Sequence, residues 1–157
     1  MKRLFPTAEM TLGPFFPREF AEGVNDLTAG AADAIEIAGR VTEVDGRPLD
    51  NVILEIWQPE HSGWGRAATD AGGQYRFRVR RPGAIAGRAP HVNFLILYSG
   101  LMRQLQTTLF FEAASDPVLE AVEPRRRGLL IARREAQNRY RFDIRLRGDD
   151  ETPFFDD

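Results

Sequence analysis

His91 and Asn93 are the two residues whose types and spacing come closest to a metal site. They lie two positions apart in a segment that reads as a strand, so their side chains project from the same face. A strand can offer two ligands to one metal ion in this way, but an amide is a poor ligand for a transition metal compared with imidazole. On these residues alone, the pair is interpreted first as hydrogen-bonded to its surroundings, as buried polar groups generally are.

Other polar residues give weaker signals. His61 stands in the polar loop Glu60–Gly63, where a solvated side chain is the ordinary case. The run Arg125–Arg127 is a candidate anion site, but short runs of charge are usually solvated surface and the chain as a whole is slightly acidic. The sequence shows no phosphate-binding glycine loop and no serine nucleophile elbow.

Composition restricts the functions that remain. The chain has 157 residues, enough for one core but too few for two stable ones. Its formal net charge of -2 provides no basic field for nucleic acid or an anionic membrane. Because there is no cysteine, disulfides, thiolate nucleophiles and cysteine-bound metal sites are excluded. The first residues show no signal-peptide pattern and no long apolar window follows, so we expect a cytoplasmic protein.

The segments that must position these residues read mostly as strands. An arm of residues 1–33, rich in proline, glycine and phenylalanine, precedes a domain of residues 34–157. We expect the arm to pack against its own domain or another chain, because its apolar content is too high for a free tail. A strand begins at Ala34, and the turn at Asp45-Gly46 predicts a hairpin to a second strand that includes Trp57.

Alternation of apolar and polar residues predicts the remaining strands. The clearest case is the segment in which Tyr75, Phe77 and Val79 alternate with arginines. Further strands are predicted over 91–98, 105–112 and 139–147, short helices over 116–122 and 126–133, and a polar loop over 59–65. The strand aromatics, Trp57 included, are interpreted as core before binding surface. Six or seven short strands without long intervening helices predict an all-β fold, an antiparallel β-sandwich.

An ordered series of motifs resembles the intradiol ring-cleaving dioxygenases. The motifs are Thr11-Leu12-Gly13-Pro14-Phe15-Phe16, Gly39-Arg40-Val41, Leu54-Glu55-Ile56-Trp57-Gln58, Gly65-Arg66-Ala67-Ala68-Thr69-Asp70, Arg88-Ala89-Pro90-His91-Val92-Asn93-Phe94, Leu109-Phe110-Phe111 and Tyr140-Arg141-Phe142-Asp143-Ile144. No single motif is specific, but their order across residues 11–157 is. Within the family, the chain is most similar to the alpha subunits that work beside an iron-bearing beta subunit. The resemblance implies a β-sandwich of the intradiol dioxygenase type.

The resemblance also implies where iron is held. In this family Fe(III) is bound by two tyrosines and two histidines, and the histidines stand in a His-x-His strand. The matching residues here are His91 and Asn93, the shortened loop 59–64 has no tyrosine, and Ala84 and Ile85 stand where the other tyrosine is expected. We therefore expect no metal in this chain and Fe(III) in a partner beta-type subunit. Arg88 matches an arginine that supports catalysis in beta subunits, and with His91 and Asn93 it forms a vestigial site.

The implied contribution of the chain lies in its partner's active site. In alpha subunits a Gly-Pro pair, here Gly13 and Pro14, borders the site of the neighbouring beta chain, as does an arginine after the strand that begins at His91. This chain has Ser99 at that arginine, and Arg103 is the candidate to replace it. Gly13, Pro14 and Arg103 are thus predicted to line a shared pocket for a catechol and O2, while no residue of this chain is predicted to be catalytic. The lost arginine leaves the ring substituents of the substrate open.

Three functions follow from these observations. The first is a non-metal subunit, inactive alone, that helps a beta-type partner to cleave a catechol between its hydroxyl-bearing carbons. The second is a non-catalytic, self-associating or ligand-binding β-sandwich module that has kept the dioxygenase scaffold, because a fold does not determine function. The third, an independent metalloenzyme, requires ligands that the sequence lacks.

Overall fold

The computed structural model describes residues 17–22, 24–61 and 63–155. These residues form nine strands, one short α-helix and two 3-10 helices. In chain order the strands are β1 (Ala34–Thr42), β2 (Ile53–Gln58), β3 (Gly63–Ala68), β4 (Gln74–Arg80), β5 (His91–Leu97), β6 (Leu105–Phe110), β7 (Arg133–Ala136), β8 (Arg139–Arg141) and β9 (Ile144–Arg145). The α-helix, α1, spans Pro117–Ala121, and the 3-10 helices span Arg18–Ala21 and Pro124–Leu130.

The strands form two sheets. One has five strands in the order β4-β1-β8-β7, with β9 also paired to β1. The other has four strands in the order β3-β2-β5-β6, all antiparallel. The inner faces of the two sheets enclose the main core, to which Ile37, Phe77, Phe94 and Phe142 contribute side chains exposed by 2% or less. The predicted all-β sandwich with short helices is therefore confirmed.

The five-stranded sheet is mixed rather than purely antiparallel. Strand β1 is antiparallel to β4 but parallel to β8 and β9, because the chain returns beside β1 only after it has built the other sheet. Gly39 makes room for this return: a Cβ there would overlap the carbonyl oxygen of Phe142 and approach Cε1 of Tyr75 to 2.9 Å. The Tyr75 hydroxyl donates to that same carbonyl at 2.6 Å. Gly39 is thus required for space.

A second, smaller apolar cluster lies on the outer face of the four-stranded sheet. Phe110 at the end of β6 packs there with Leu119 of α1, with Val122 and with Leu130 of the second 3-10 helix. The cluster covers the part of the outer face where β5 begins and β6 ends. The rest of that face carries the candidate site.

Most predicted elements are found, with four differences. The helix predicted over 126–133 is instead a 3-10 helix over Pro124–Leu130, and strand β7, which begins at Arg133, was not predicted. The predicted strand over 139–147 is divided into β8 and β9, although Tyr140, Phe142, Ile144 and Leu146 do point inward. The turn after β1 forms only a single bridge, Thr42 to Pro48, before the chain crosses to the other sheet, so no β1–β2 hairpin exists. Finally, the interpretation of 59–65 as loop was wrong at its end, since β3 begins at Gly63 and pairs with β2.

The division into an arm of residues 1–33 and a domain of residues 34–157 stays a prediction, since residues 1–16 lie outside the described part. Within that part, the end of the arm contacts the domain: the Leu27 amide donates to Arg78 O at 2.8 Å, and the Leu27 side chain packs on the main core. None of the described helices is long and apolar enough to cross a membrane.

Candidate functional site

The three residues predicted to form a vestigial site lie together at the beginning of β5. Arg88 precedes the strand, and His91 and Asn93 occupy its outward-facing positions, opposite to Val92 and Phe94, which face the main core. The structure thus brings these three residues to one end of the four-stranded sheet. Their assignment as a vestigial site stays a prediction.

His91 is buried and hydrogen-bonded. Its side chain is covered by the smaller apolar cluster, with the residue 3% exposed and its ring 6.1 Å from that of Phe110. Its Nδ1 lies 2.7 Å from the carbonyl oxygen of Ala89. Because a carbonyl only accepts, Nδ1 carries the proton and only Nε2 is left as a possible ligand atom.

Asn93 belongs to a row of side chains that crosses the sheet. It is aligned with Trp57 on β2 and with Thr108 on β6, and Trp57 is aligned with Trp64 on β3. The Thr108 hydroxyl donates to Asn93 Oδ1 at 3.0 Å and so engages one lone pair of the atom through which an amide binds metals.

The residues present do not fit the iron that the family implies. Among residues 17–22, 24–61 and 63–155, no group of three or more His, Cys, Asp and Glu side chains could hold a metal ion. All three tyrosines of the chain are described, and none accompanies His91. The Tyr75 hydroxyl bonds to Phe142 O, and Tyr140 packs edge-on against Phe111 with ring centroids 4.9 Å apart. Tyr98 follows the far end of β5, about 20 Å from His91 at the usual rise of a strand.

Arg88 is held by a buried carboxylate that the sequence reasoning missed. Arg88 Nε donates to Asp116 Oδ2 at 2.7 Å, and the Ala89 amide donates to the same oxygen at 2.9 Å. The other oxygen, Oδ1, caps α1 by accepting from the amides of Val118 at 2.8 Å and Leu119 at 3.4 Å. Burial raises the pKa of Asp116, but the hydrogen bonds from Arg88, Ala89 and Val118 together outweigh it and hold the pKa below its ordinary value.

The signal for Asp116 was present in the sequence. Asp is a preferred N-cap and Pro a preferred first helical residue, so Asp116-Pro117 predicts the start of α1. Its pairing with Arg88 spans 28 positions and has no local signature.

A cavity of about 700 Å³ opens on the uncovered part of the outer sheet face. Its floor includes the row of Trp64, Trp57, Asn93 and Thr108, and its wall includes Arg88, Val118 of α1 and Phe155. Trp57 is 47% exposed and Trp64 is 41% exposed. The interpretation of Trp57 as a core residue was therefore wrong. Trp57 lies two positions after the polar Glu55 in β2, so the two side chains share one face of the strand, and this spacing indicates the outer face.

A held arginine supports one of the two indoles. The Arg66 guanidinium lies between Phe20 and Trp64, with its central carbon 3.6 Å and 4.8 Å from the two ring centroids. Arg66 Nε also donates to Glu55 Oε1 at 2.8 Å. The positive charge of Arg66 is thus already paired with Glu55.

The residues predicted to line a partner's pocket do not join this site. Arg103 is exposed in the turn between β5 and β6, at the opposite end of β5 from His91. Ser99, which stands at the family's arginine position, lines a small cavity of about 190 Å³ near the same turn. Gly13 and Pro14 lie outside the described residues.

The two weaker candidates are placed in structural contacts. His61 Nε2 lies 3.3 Å from Arg81 O and 3.6 Å from a carboxylate oxygen of Glu60. In the arginine run, Arg126 and Arg127 donate to the carbonyl oxygens of Glu151 and Val122 at 2.9 Å and 2.8 Å.

Comparison with curated proteins finds relatives along the whole chain. It is 32% identical to the protocatechuate 3,4-dioxygenase alpha chain of Burkholderia cepacia over 196 aligned positions, covering 99% of this chain and 100% of that one. It is 35% identical to the alpha chain of the same enzyme from Pseudomonas putida, covering 78% of this chain and 75% of that one. The beta chain from Burkholderia cepacia is 30% identical and covers 82% of this chain, with 74% of its own length matched. No protein-family model matches.

Solved structures show the same fold. The dioxygenase domain of a dioxygenase carbohydrate-binding fusion from Streptomyces sp. SirexAA-E superposes with a TM-score of 0.62 at 23% identity, covering 90% of this chain and 98% of that one. An intradiol ring-cleavage dioxygenase from Tetranychus urticae superposes with a TM-score of 0.60 at 15% identity, covering 86% and 90%. At these identities the superpositions support the fold alone.

Proposed function

This chain belongs to the intradiol ring-cleaving dioxygenase family, and from that membership we propose that it is the alpha subunit of a protocatechuate 3,4-dioxygenase. In that role it helps to form the active site in which protocatechuate, a catechol, is cleaved by O2 to 3-carboxymuconate. The observation that carries the proposal is the match to alpha chains, which extends over 99% of this chain for the Burkholderia cepacia relative.

The iron of the complex is proposed to lie in a beta-type partner. The support is chemical: of the side chains at the start of β5, His91 offers one nitrogen and Asn93 only a neutral amide oxygen that already accepts from Thr108, and the three tyrosines of the chain lie elsewhere. An Fe(III) site of the family's type needs harder, anionic oxygen ligands than these residues supply. No step of ring cleavage is therefore assigned to residues of this chain.

The contribution of this chain is proposed to be made across an interface, through Gly13, Pro14 and Arg103. For Arg103 the support is its place: it is exposed at the end of β5 that lies about 20 Å from His91, so it cannot serve the vestigial site of its own chain. For Gly13 and Pro14 the support is the resemblance of the Gly-Pro motif.

The non-catalytic module is a weaker candidate. The relatives that match most of this chain are alpha and beta chains of one dioxygenase, which favours a subunit of that enzyme over a module with another role.

Co-expression with a beta-type chain that carries both tyrosines and His-x-His tests the proposal. We expect the purified complex to contain iron and to consume O2 when protocatechuate is added. We expect this chain purified alone to be colourless and to contain no iron. About one iron per chain in the isolated protein, with visible absorption, would contradict the assignment as a non-metal subunit.

Two variants of the complex locate the contribution of this chain. Gly13→Val adds bulk at the backbone proposed to border the pocket, and a misplacement near 1 Å can lower turnover by about a hundredfold. His91→Ala should leave turnover almost unchanged, because the chemistry is not done at the vestigial site. The opposite pattern, with activity lost in His91→Ala and kept in Gly13→Val, would place the chemistry in this chain.

A further inference from the structure

The described part of the N-terminal arm begins at Pro17, and Arg66 of β3 holds it close to that point. The Arg66 guanidinium lies over the Phe20 ring in the first 3-10 helix, with its central carbon 3.6 Å from the ring centroid. Its Nη1 also donates to Phe20 O at 3.1 Å. One side chain of the domain thus contacts both the ring and the backbone of Phe20, and these two contacts form an anchor for the arm.

Arg66 is itself fixed by the domain. Its Nε and its Nη2 both donate to Glu55 Oε1, at 2.8 Å and 2.5 Å. Arg66 and Glu55 stand opposite each other on β3 and β2, and their side chains are only 18% and 19% exposed. The Trp64 ring lies on the guanidinium as well, with the ring centroid 4.8 Å from the central carbon. The planar group is therefore oriented by β2 and β3 and presents a preorganised surface to Phe20.

A second attachment of the arm lies further along the chain and uses backbone groups. The Arg66 amide donates to Val24 O at 2.9 Å, and the Leu27 amide donates to Arg78 O at 2.8 Å. The segment over 24–27 thus lies against β3 and β4, the strands at one edge of each sheet. Because these bonds do not involve the Arg66 side chain, replacing that side chain weakens the attachment at Phe20 and leaves the attachment at Val24.

The position of the anchor limits where the arm can place Gly13 and Pro14. Gly13 precedes Pro17 by four positions, so even a fully extended chain keeps the two residues within about 14 Å of each other. Gly13 precedes Val24 by eleven positions, for which the limit is about 40 Å. The effective concentration of a tethered group falls with roughly the -3/2 power of the tether length, so loss of the anchor lowers that of Gly13 and Pro14 by about fivefold.

We propose that Arg66 is a positioning residue, which anchors the arm at Phe20 and so directs Gly13 and Pro14 to the active site of the beta-type partner. This inference rests on the proposed function as an alpha subunit. It adds the contact that sets where the arm leaves the domain, beside β3 at the edge of the four-stranded sheet. Arg66 does not touch the substrate in this role and acts only through the arm.

Trypsin measures the anchor in the isolated full chain. Arg18 is the only lysine or arginine between Arg3 and Arg40, and the bond after it lies in the same 3-10 helix as Phe20. Cleavage there requires local opening of the helix, so its rate under native conditions, followed by mass spectrometry, reports how often the helix opens. We expect Arg66→Gln to accelerate this cleavage by about 10-fold or more. Arg66→Lys keeps the charge but not the planar fork, and we expect an intermediate rate.

Two further variants separate the anchor from the fold. Arg145→Gln is the matched control, because Arg145 also pairs with a carboxylate, Asp150 at 2.9 Å, but lies on β9, and cleavage after Arg18 should be unchanged. Phe20→Ala removes the ring from the arm side and changes no residue of the domain. It should resemble Arg66→Gln, and it decides the matter if Arg66→Gln does not fold.

The complex with a beta-type chain tests the positioning role. At equal iron content and equal subunit ratio, Arg66→Gln and Phe20→Ala should each lower kcat/KM for protocatechuate by about fivefold, in line with the lower effective concentration of Gly13 and Pro14. A residue that only stabilised the domain would change the yield of complex but not kcat/KM per assembled iron site. Arg145→Gln should leave both quantities unchanged.

Equal rates of cleavage after Arg18 in the unmodified chain, Arg66→Gln and Phe20→Ala would overturn the anchor. Faster cleavage with an unchanged kcat/KM per iron site would overturn the positioning role and leave the assignment as an alpha subunit intact. An unmodified complex that does not cleave protocatechuate would instead overturn the proposed function, and the positioning role with it, whatever the rate of cleavage after Arg18.

Discussion

Replacing Asp116 tests whether one buried carboxylate organises the start of β5 and α1. Asp116→Ala removes the cap of α1, which contributes about 1 kcal/mol in typical helices. It also leaves the buried Ala89 amide without an acceptor, at a cost of about 1–3 kcal/mol. Arg88 loses its partner as well, but its side chain is 25% exposed and can recover part of its hydration. We expect the free energy of unfolding to fall by about 3–5 kcal/mol in all.

Asp116→Asn separates the cap from the ion pair. Asn is as good an N-cap as Asp, so the hydrogen bonds from the amides of Val118 and Leu119 can persist. The amide nitrogen that replaces Oδ2 is a donor, however, and cannot accept from Arg88 Nε or from the Ala89 amide. We expect a loss of about 2–3 kcal/mol, intermediate between the unmodified chain and Asp116→Ala. This order distinguishes a carboxylate that pairs with Arg88 from one that only caps a helix.

Urea unfolding followed by circular dichroism measures these losses. With a dependence of about 2 kcal/mol per molar urea, Asp116→Ala should lower the midpoint by about 1.5–2.5 M. Asp150→Ala is the control: Asp150 is 70% exposed and pairs with Arg145 at 2.9 Å, and such surface pairs contribute about 0–1 kcal/mol. A midpoint for Asp116→Ala within about 0.5 M of that control would refute the reasoning.

Three further predictions concern pH, packing and assembly. The folded-state pKa of Asp116 is lowered, so the stability that its carboxylate contributes is complete above the unfolded-state pKa of about 3.9 and is lost as pH falls through the folded-state pKa. The difference in urea midpoint between the unmodified chain and Asp116→Asn should therefore become smaller below about pH 4. A difference that stays constant with pH would contradict this. Gly39→Ala should lower the free energy of unfolding by about 2 kcal/mol or more, since its Cβ would overlap the backbone of Phe142, whereas Gly128→Ala, with open space around its Cβ, should be neutral or slightly stabilising in the same urea assay. Deleting residues 1–20 should reduce association with a beta-type partner, measured by size-exclusion chromatography with light scattering; an unchanged size would show that the arm packs only on its own domain.

The strands with clear alternation were predictable because the two faces of a strand are set by local geometry. In β4, Tyr75, Phe77 and Val79 are buried and the arginines between them are exposed, as their parity requires. The same parity identified the inward residues of 139–147, although it did not show the break between β8 and β9. Alternation therefore locates a strand and its faces more reliably than its ends.

Strand β3 was missed because its sequence carries no alternation of apolar residues. Gly63–Ala68 consists of glycine, alanine, arginine and one tryptophan, and of these only Trp64 has a preference for strands. It is a strand because the exposed edge of β2 pairs with it, from Ile53 opposite Ala68 to Gln58 opposite Gly63. Hydrogen bonding to a neighbour, and not propensity, decided this element.

What the sequence by itself determined is the chemistry that this chain lacks. The absence of cysteine, the number of tyrosines and the replacement of a second histidine by Asn93 are facts of residue identity, and no folding can supply a missing ligand type. The sandwich class and the family followed from the order of patterns and motifs along the chain.

Only the tertiary structure decided which contacts form around the start of β5. Arg88 meets Asp116 across 28 positions, and Trp57 meets Trp64 and Asn93 through the register of three strands. Such contacts depend on how separate segments pair. The type of a residue does not determine which distant residue it will contact. The same packing leaves Arg88 Nη2 without a hydrogen-bond partner among the described residues, because Asp116 already accepts from Arg88 Nε and from the amides of Ala89, Val118 and Leu119.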